Sequence, residues 1–549
     1  MDLLFYPVIL VAILAPAALF VRRHDLLEAL ALGAAVSLAG WAALAFGRFL
    51  MLLPPSTARM IGIAALALAL AGSAGAVVAL TRLRRQRQPD AARRPASWQL
   101  GSALAGAALL TIGLEAVVPH FGIANLYYDW WEHFDLARLY HAPANLHRLY
   151  QDGYGVTSRT PLYNLLTSLP LTAFGNRFAL FQVATAALAW LWILPAALLA
   201  RRFLAEQSLR LVALLALSPL ILFATTYGWP KGLVAFFALV ALDRFLALRQ
   251  AGPAQAGALA VQLGLASGLT LMTHQGFIGY LLPLYALLLW DALTKRGRWM
   301  TLGTACAIGG LVALPWYAWA VAQYGLDRGV VGYPEPGYAT PGLWLLDHVL
   351  ILLTSALPIT VAFHAFGSNP LQQLLVAYLR TAVGLLGAVF LLRLLARSIR
   401  RAPAAAPAPR PLIAFALGGI VTTTLLLNGW GNGWASAESI FIPALVTLFI
   451  VAAVRAPLAE STMAIAGIEC LLVLAAAIIY MWSPAASGEP NAQLAVAEQI
   501  RFLGRDTWWP GALLMVAGAA SCLYTVYGLR LRANKKEPRA LWREAPSVF

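Results

Sequence analysis

The chain has 549 residues, of which 61% are hydrophobic and only 11% charged, and its mean hydropathy is +0.74. That balance excludes an ordinary soluble domain, in which about half the residues are apolar and about a quarter charged. The formal charge of +16 points toward nucleic acid at first sight. Its Lys and Arg, however, stand in short loops between apolar runs, the distribution of a membrane protein, and no nucleic acid is expected as a partner.

Apolar runs of about 17 to 25 residues recur along the chain, each long enough to cross a hydrocarbon core about 30 Å thick. In lipid such runs must close their backbone hydrogen bonds internally, and the short alternating strands of a β-barrel are missing, so they read as helices. The prediction is an all-α polytopic transmembrane bundle of about fifteen spans. They fall near 3–21, 26–47, 59–81, 98–118, 178–200, 210–227, 231–249, 256–272, 277–293, 300–320, 372–396, 411–428, 439–455, 461–482 and 510–530. Met1 to Phe20 lacks a basic stretch ahead of it and a small-residue cleavage site, so it reads as a first span, not a removed signal peptide. Cys306, Cys470 and Cys522 lie inside apolar segments without metal-binding or disulfide spacing and read as small core residues.

Placing RLRRQRQPDAARR (82–94), Arg201-Arg202, KRGR (295–298), RSIRR (397–401) and the tail RLRANKKEPR (530–539) on the cytoplasmic side satisfies the positive-inside rule. The N-terminus is then outside and the C-terminus inside. The same parity makes 161–176 an interfacial helix and turns 343–366, which contains Asp347, His348, Pro358 and His364, into an interfacial or re-entrant segment of a long outer loop. Polar and aromatic residues concentrate on the outer side. They fill loops 119–177, 321–371, 428–439 and 483–509 and the short connections YGWPK (227–231) and THQG (273–276).

The densest group of ionisable residues is the stretch from Tyr127 to Thr160, in the first large outer loop. Acids set beside an interfacial aromatic belt (Trp130, Trp131) have no packing role, which marks them as candidates for chemistry. On a helix Asp129 and His133 are one turn apart and share a face, as do Glu132 and Asp135 on another. Asp129, Glu132, His133 and Asp135 are the catalytic candidates. His141 and His147 read as surface histidines. Outside the cytoplasm there is no nucleotide sugar, and no Gly-rich phosphate loop is present, so an activated donor must arrive in the membrane. A polyprenyl-phosphate sugar meets that need. Its transfer requires a base for the acceptor hydroxyl and cations for the phosphate leaving group. Arg138, Arg159 and Lys231 are placed to supply the cations. Arg380, inside a predicted span, needs either a lipid phosphate or an acid such as Glu115 or Glu469. His274 and Glu438, at outer helix ends, are candidates for contact with sugar or acceptor.

The acidic loop followed by RTPLYNLL (159–166), GNRFALFQVATAALAWLWILPAALLARRF (175–203), ATTYGWPKGLVAFFALVAL (224–242) and LPWYAWAVAQYG (314–325) resembles the GT-C superfamily of integral-membrane glycosyltransferases. It is most similar to bacterial relatives of the protein mannosyltransferase and aminoarabinose transferase branch. The resemblance covers roughly 98–530. It leaves 1–97 as three additional helices with a cationic cytoplasmic loop, and 531–549 as a basic tail. It implies a GT-C-type bundle in a bacterial inner membrane, with its site facing the periplasm. It further implies an inverting transfer from a polyprenyl-phosphate sugar to an envelope glycan, lipid or protein acceptor, with Asp129 as general base. Here Trp130, not a second acid, follows Asp129, so Glu132, His133 or Asp135 stands in as partner, and use of a divalent metal stays open. Three other readings compete, one of them a non-catalytic subunit of an envelope assembly, for which Asp129 would be dispensable. A lipid flippase or transporter would carry mid-membrane charges in paired halves, and an oligosaccharide ligase or polymerase working from a polyprenyl diphosphate would place its key residues in a late outer loop.

Overall fold

The computed structural model describes residues 2–20, 24–51, 60, 63, 94–118, 129–141, 156–204, 207–294, 298–326, 396, 410–426, 442–455, 460–481 and 500–527. Their helices, in chain order, are α1 (Phe5–Leu14), α2 (Ala17–Phe20), α3 (Leu26–Met51), α4 (Arg94–Val117), α5 (Asp129–His141), α6 (Leu162–Phe174), α7 (Phe178–Ala189), α8 (Ile193–Leu204) and α9 (Ser208–Ala216). They continue with α10 (Pro219–Thr226), α11 (Lys231–Gln250), α12 (Pro253–Thr273), α13 (Ile278–Thr294), α14 (Trp299–Leu326), α15 (Arg410–Leu426), α16 (Ile442–Arg455), α17 (Glu460–Met481) and α18 (Leu503–Tyr527). The chain is an all-α, multi-pass membrane bundle. Eight of the described helical segments are long and apolar enough to cross a bilayer, or nine if α9 and α10, which meet at a 59° bend, form one span. Of the predicted spans 59–81 and 372–396 only residues 60, 63 and 396 are described, and the segment 343–366 lies outside the described residues.

Apolar side chains cannot hold helices together by the hydrophobic effect when lipid is equally apolar, so close backbone approach takes over. Helices α4 and α18 meet through glycines. A Cβ on Gly113 would lie 2.4 Å from the Met515 amide nitrogen, and one on Gly518 would lie 2.5 Å from that of Leu110. Thr507 and Ser521 of α18 add hydroxyl donations to the Ala116 and Ser102 carbonyls, at 3.3 and 2.8 Å. The N-terminus of α11 is pressed on α7 in the same way, since a Cβ on Gly232 would be 2.5 Å from the Ala189 carbonyl oxygen.

Helix α11 is central and buried along almost its whole length, so the ionisable residues it carries must be met by neighbouring helices. At its C-terminal end Arg244 pairs with Asp243 and with Glu28 at 2.8 Å, and Asp243 also accepts from Arg202 at 2.8 Å. Arg201 reaches Asp25 at 2.6 Å beside them. Lys231 stands at the opposite end, about 20 Å away at 1.5 Å rise per residue. The bundle therefore has two polar ends. One gathers arginines of the connections assigned to the cytoplasm, and the other gathers loops assigned to the outside.

The segment predicted as interfacial, 161–176, forms the 13-residue α6, whose residues from Leu162 to Ser168 are all buried. One expectation changes. Of the three free cysteines Cys470 and Cys522 are buried, but Cys306 is exposed on α14, because that helix turns much of its apolar surface outward.

Candidate active site

Helix α5 carries the acidic cluster, and its packing decides which candidates face inward. Trp130 is fully buried and meets Phe178 and Phe502 at ring-centroid distances of 5.2 and 5.5 Å. Phe134, one turn on, meets Phe178 and Phe181 at 5.1 and 5.3 Å. With that aromatic face inward, Glu132 and His133 are also buried. Asp135 is left at the edge, 3.7 Å from the exposed Arg138, whose guanidinium lies 5.6 Å from the Phe134 ring centroid. Glu132 and Asp135, expected on one face, thus divide between the interior and the surface. Asp129 is the first residue of the helix, one turn ahead of His133; its side chain is not among those described. Arg380 and Glu438 also lie outside the described residues.

Five of the candidates that are described have inward partners. The Glu132 carboxylate accepts from the Arg159 guanidinium at 2.9 Å. His133 Nδ1 lies 2.9 Å from Asn164 Oδ1, so Nδ1 donates in this contact. Tyr163 adds an edge contact to that ring at 5.2 Å. Lys231 Nζ is 2.8 Å from His274 Nε2.

The Lys231–His274 pair depends on two breaks in helical order. Gly228 adopts φ of +73°, which favours a residue without Cβ, with Phe181 and Trp130 close above it. That turn starts α11 and sets Lys231 in its first position. His274 is extended (φ −161°, ψ 112°) between α12 and the short 3₁₀ turn Gln275–Phe277. A neutral imidazole has one acceptor nitrogen. The 2.8 Å contact to Lys231 is shorter than the 3.2 Å contact from the Gly276 amide to Nδ1, so Nε2 accepts from the ammonium. Burial first, then the charges of Lys231 and Arg159 and the nearby His133, hold His274 well below the ordinary histidine value. A Cβ on Gly228 would lie 3.7 Å from Trp130 Cβ, which sets the start of α11, with Lys231 and His274, beside α5 and its Arg159 partner.

This has a consequence for stability. Unfolding lets His274 take up a proton once the pH is below its unfolded value of about 6.5, whereas the folded ring resists protonation, so the unfolded state binds more protons and folding weakens as the pH falls. The contribution is intact above about 6.5 and is lost progressively below it, down through the depressed folded value. Thermal unfolding in detergent from pH 8 to pH 5 should show a falling Tm for the wild type and a flatter profile for His274→Gln, whose amide oxygen can still accept from Lys231. An identical slope in both would remove His274 from this role.

Sequence reasoning missed two residues near the site. Asn164, the one polar side chain in PLYNLL, orients His133, and its Nδ2 is a buried donor with no partner among the described residues; the Trp229 indole Nε1 is another. Glu115, considered above as a partner for Arg380, accepts from Gln182 Nε2 at 2.8 Å, while Gln182 Oε1 accepts from the Leu503 amide at 2.8 Å. That bond ties α4, α7 and α18 together beneath the aromatic cluster.

No family model matches the chain, and no curated protein does. Two solved structures are similar to it. One is the crystal structure of ArnT from Cupriavidus metallidurans bound to undecaprenyl phosphate, 16% identical over 77% of this chain and 76% of that one, with a TM-score of 0.49. The other is ArnT from the same organism in the apo state, 14% identical over 79% of this chain and 78% of that one, with a TM-score of 0.47. At this level of likeness the ArnT structures assign neither an activity nor residue roles to this chain.

Proposed function

We propose that this protein is an integral-membrane glycosyltransferase. It transfers a sugar, with inversion, from a polyprenyl-phosphate carrier to an envelope acceptor on the periplasmic side of a bacterial inner membrane. The observation that carries this reading is the gathering of Arg159, Lys231 and the neutral His274 against the acidic helix α5 at one end of the bundle. Sugar transfer from a lipid phosphate needs a base for the acceptor hydroxyl, and fixed positive charge where the phosphate acquires its second negative charge. Helix α5 supplies the base candidates, Asp129 foremost, with His133 held by Asn164 one turn on. Arg159 and Lys231 supply the charge, and the buried donors of Asn164 and Trp229 suit an oxygen-rich ligand. Asp135, a candidate partner acid, and Arg138, a candidate phosphate holder, pair with each other at the surface. Arg380 and Glu438 keep their sequence-based assignment to the substrate path.

In the inverting step the acceptor oxygen attacks the anomeric carbon as the bond to the phosphate oxygen breaks. The acceptor proton goes to the base, and the polyprenyl phosphate leaves as an anion against the cations.

The test is transfer in proteoliposomes from a panel of polyprenyl-phosphate sugars, with the anomeric configuration of the product read by NMR. Inverted product from a monophosphate donor is expected. Retained configuration would refute the single displacement. Turnover of diphosphate donors alone would favour the ligase reading, and lipid movement without transfer would favour the flippase.

A further inference from the structure

Arg48, in the last turn of α3, is a cation deep in a helix that the sequence resemblance leaves outside the catalytic body, and it is only 5% exposed. Its Nη1 donates to Thr172 Oγ1 at 2.7 Å, and its Nη2 donates to the carbonyl oxygen of His141, the last residue of α5. Thr172 has one hydroxyl proton and two lone pairs, and all three are used. It donates to the Ser168 carbonyl at 2.8 Å and accepts from Arg48 and from His141 Nδ1, which lies at 2.9 Å. His141, expected to be a surface histidine, is therefore an N–H donor in a knot joining α3, α5 and α6. Burial and the Arg48 charge hold it neutral, below the ordinary histidine value.

The location gives this knot mechanical meaning. The last carbonyls of a helix lack intrahelical donors and carry the negative end of its dipole, so one guanidinium here serves the C-termini of both α3 and α5. Next to it Phe49 meets Tyr140 at 5.1 Å and Trp319 at 5.0 Å, edge to face. A helix of 13 residues has little stability of its own in isolation and takes its direction from what grips its ends. Trp130 anchors one end of α5. Arg48 anchors the other, eight residues and about 12 Å beyond His133.

We propose that Arg48 is a positioning residue for the site, and that α1 to α3 form a brace setting the direction of α5, so that Glu132 meets Arg159 and His133 meets Asn164. The consequence for catalysis rests on the glycosyltransferase reading; the consequence for α5 does not.

Full-length Arg48→Met, Arg48→Lys and, as a control at the opposite end of α3, Arg201→Gln are compared in proteoliposomes by amide hydrogen exchange and by sugar transfer. In Arg48→Met, exchange should accelerate across residues 130–141 and remain unchanged in α11. Its kcat should fall on the order of 10²-fold, the effect of a misplacement of about 1 Å, with the KM for the lipid donor unchanged. Arg48→Lys, which reaches one acceptor but not both, should recover part of both effects, and Arg201→Gln should show neither. Unchanged exchange in α5, or equal acceleration in every helix, would overturn the proposal. So would a raised donor KM at constant kcat, which would make Arg48 a ligand contact. If the wild type transfers no sugar from any donor, the glycosyltransferase reading fails, and the exchange data alone decide the brace.

Discussion

Asp129→Asn is expected to reduce sugar transfer by about 10² to 10⁴-fold, the range spanned by a positioned general base, while the lipid donor still binds. The substitution keeps the side-chain size and removes only its basicity. Among the acids of α5 the assignment falls to Asp129 by elimination as well as by resemblance. The carboxylate of Glu132 is held by Arg159 at 2.9 Å, and Asp135 sits at the surface with Arg138. Asp129 opens the helix, where the positive end of the dipole favours a carboxylate, one turn from a histidine whose ring is oriented by Asn164. The measurement is transfer from a polyprenyl-phosphate sugar in proteoliposomes, beside donor binding, for Asp129→Asn and Glu132→Gln. Full transfer by Asp129→Asn would move the base to Glu132, Asp135 or His133.

Lys231→Met is expected to cost about 10² to 10³-fold in kcat/KM, the effect of removing one fixed donor from a site of developing negative charge. The substitution keeps an unbranched side chain one atom shorter beside the packed Gly232–Ala189 contact, so lost positive charge dominates the effect. His274 then loses its donor at Nε2. His274→Gln, which retains an acceptor for Lys231, separates the two contributions and should be much milder. Lys231→Arg should not restore full activity, since a planar guanidinium cannot replace a compact ammonium set 2.8 Å from the His274 ring nitrogen. Wild-type kcat/KM in Lys231→Met would mean that this lysine serves only as the start of α11.

The sequence alone determined the multi-pass helical class and the loop in which α5 lies. Apolar run length is a local property, and the bilayer imposes one thickness on every span. It also singled out Asp129, Glu132, His133, Arg159, Lys231 and His274, because ionisable residues are costly near lipid and stand out in so apolar a chain. Which of them meet was a question of tertiary packing. Helix α5 packs on α7 through Trp130 and Phe134 and on α6 and Arg159 through His133 and Glu132, which leaves Asp135 and Arg138 paired at the surface. Lys231 and His274 are 43 positions apart and come together only because Gly228 and the extended His274 end their helices at the same level. Asn164 and Arg48 carried no local signal, since a single amide in an apolar helix and a single arginine near a helix end each read as unremarkable. Their partners lie 31 and up to 124 positions away, and contacts over such separations exist only once the bundle has closed.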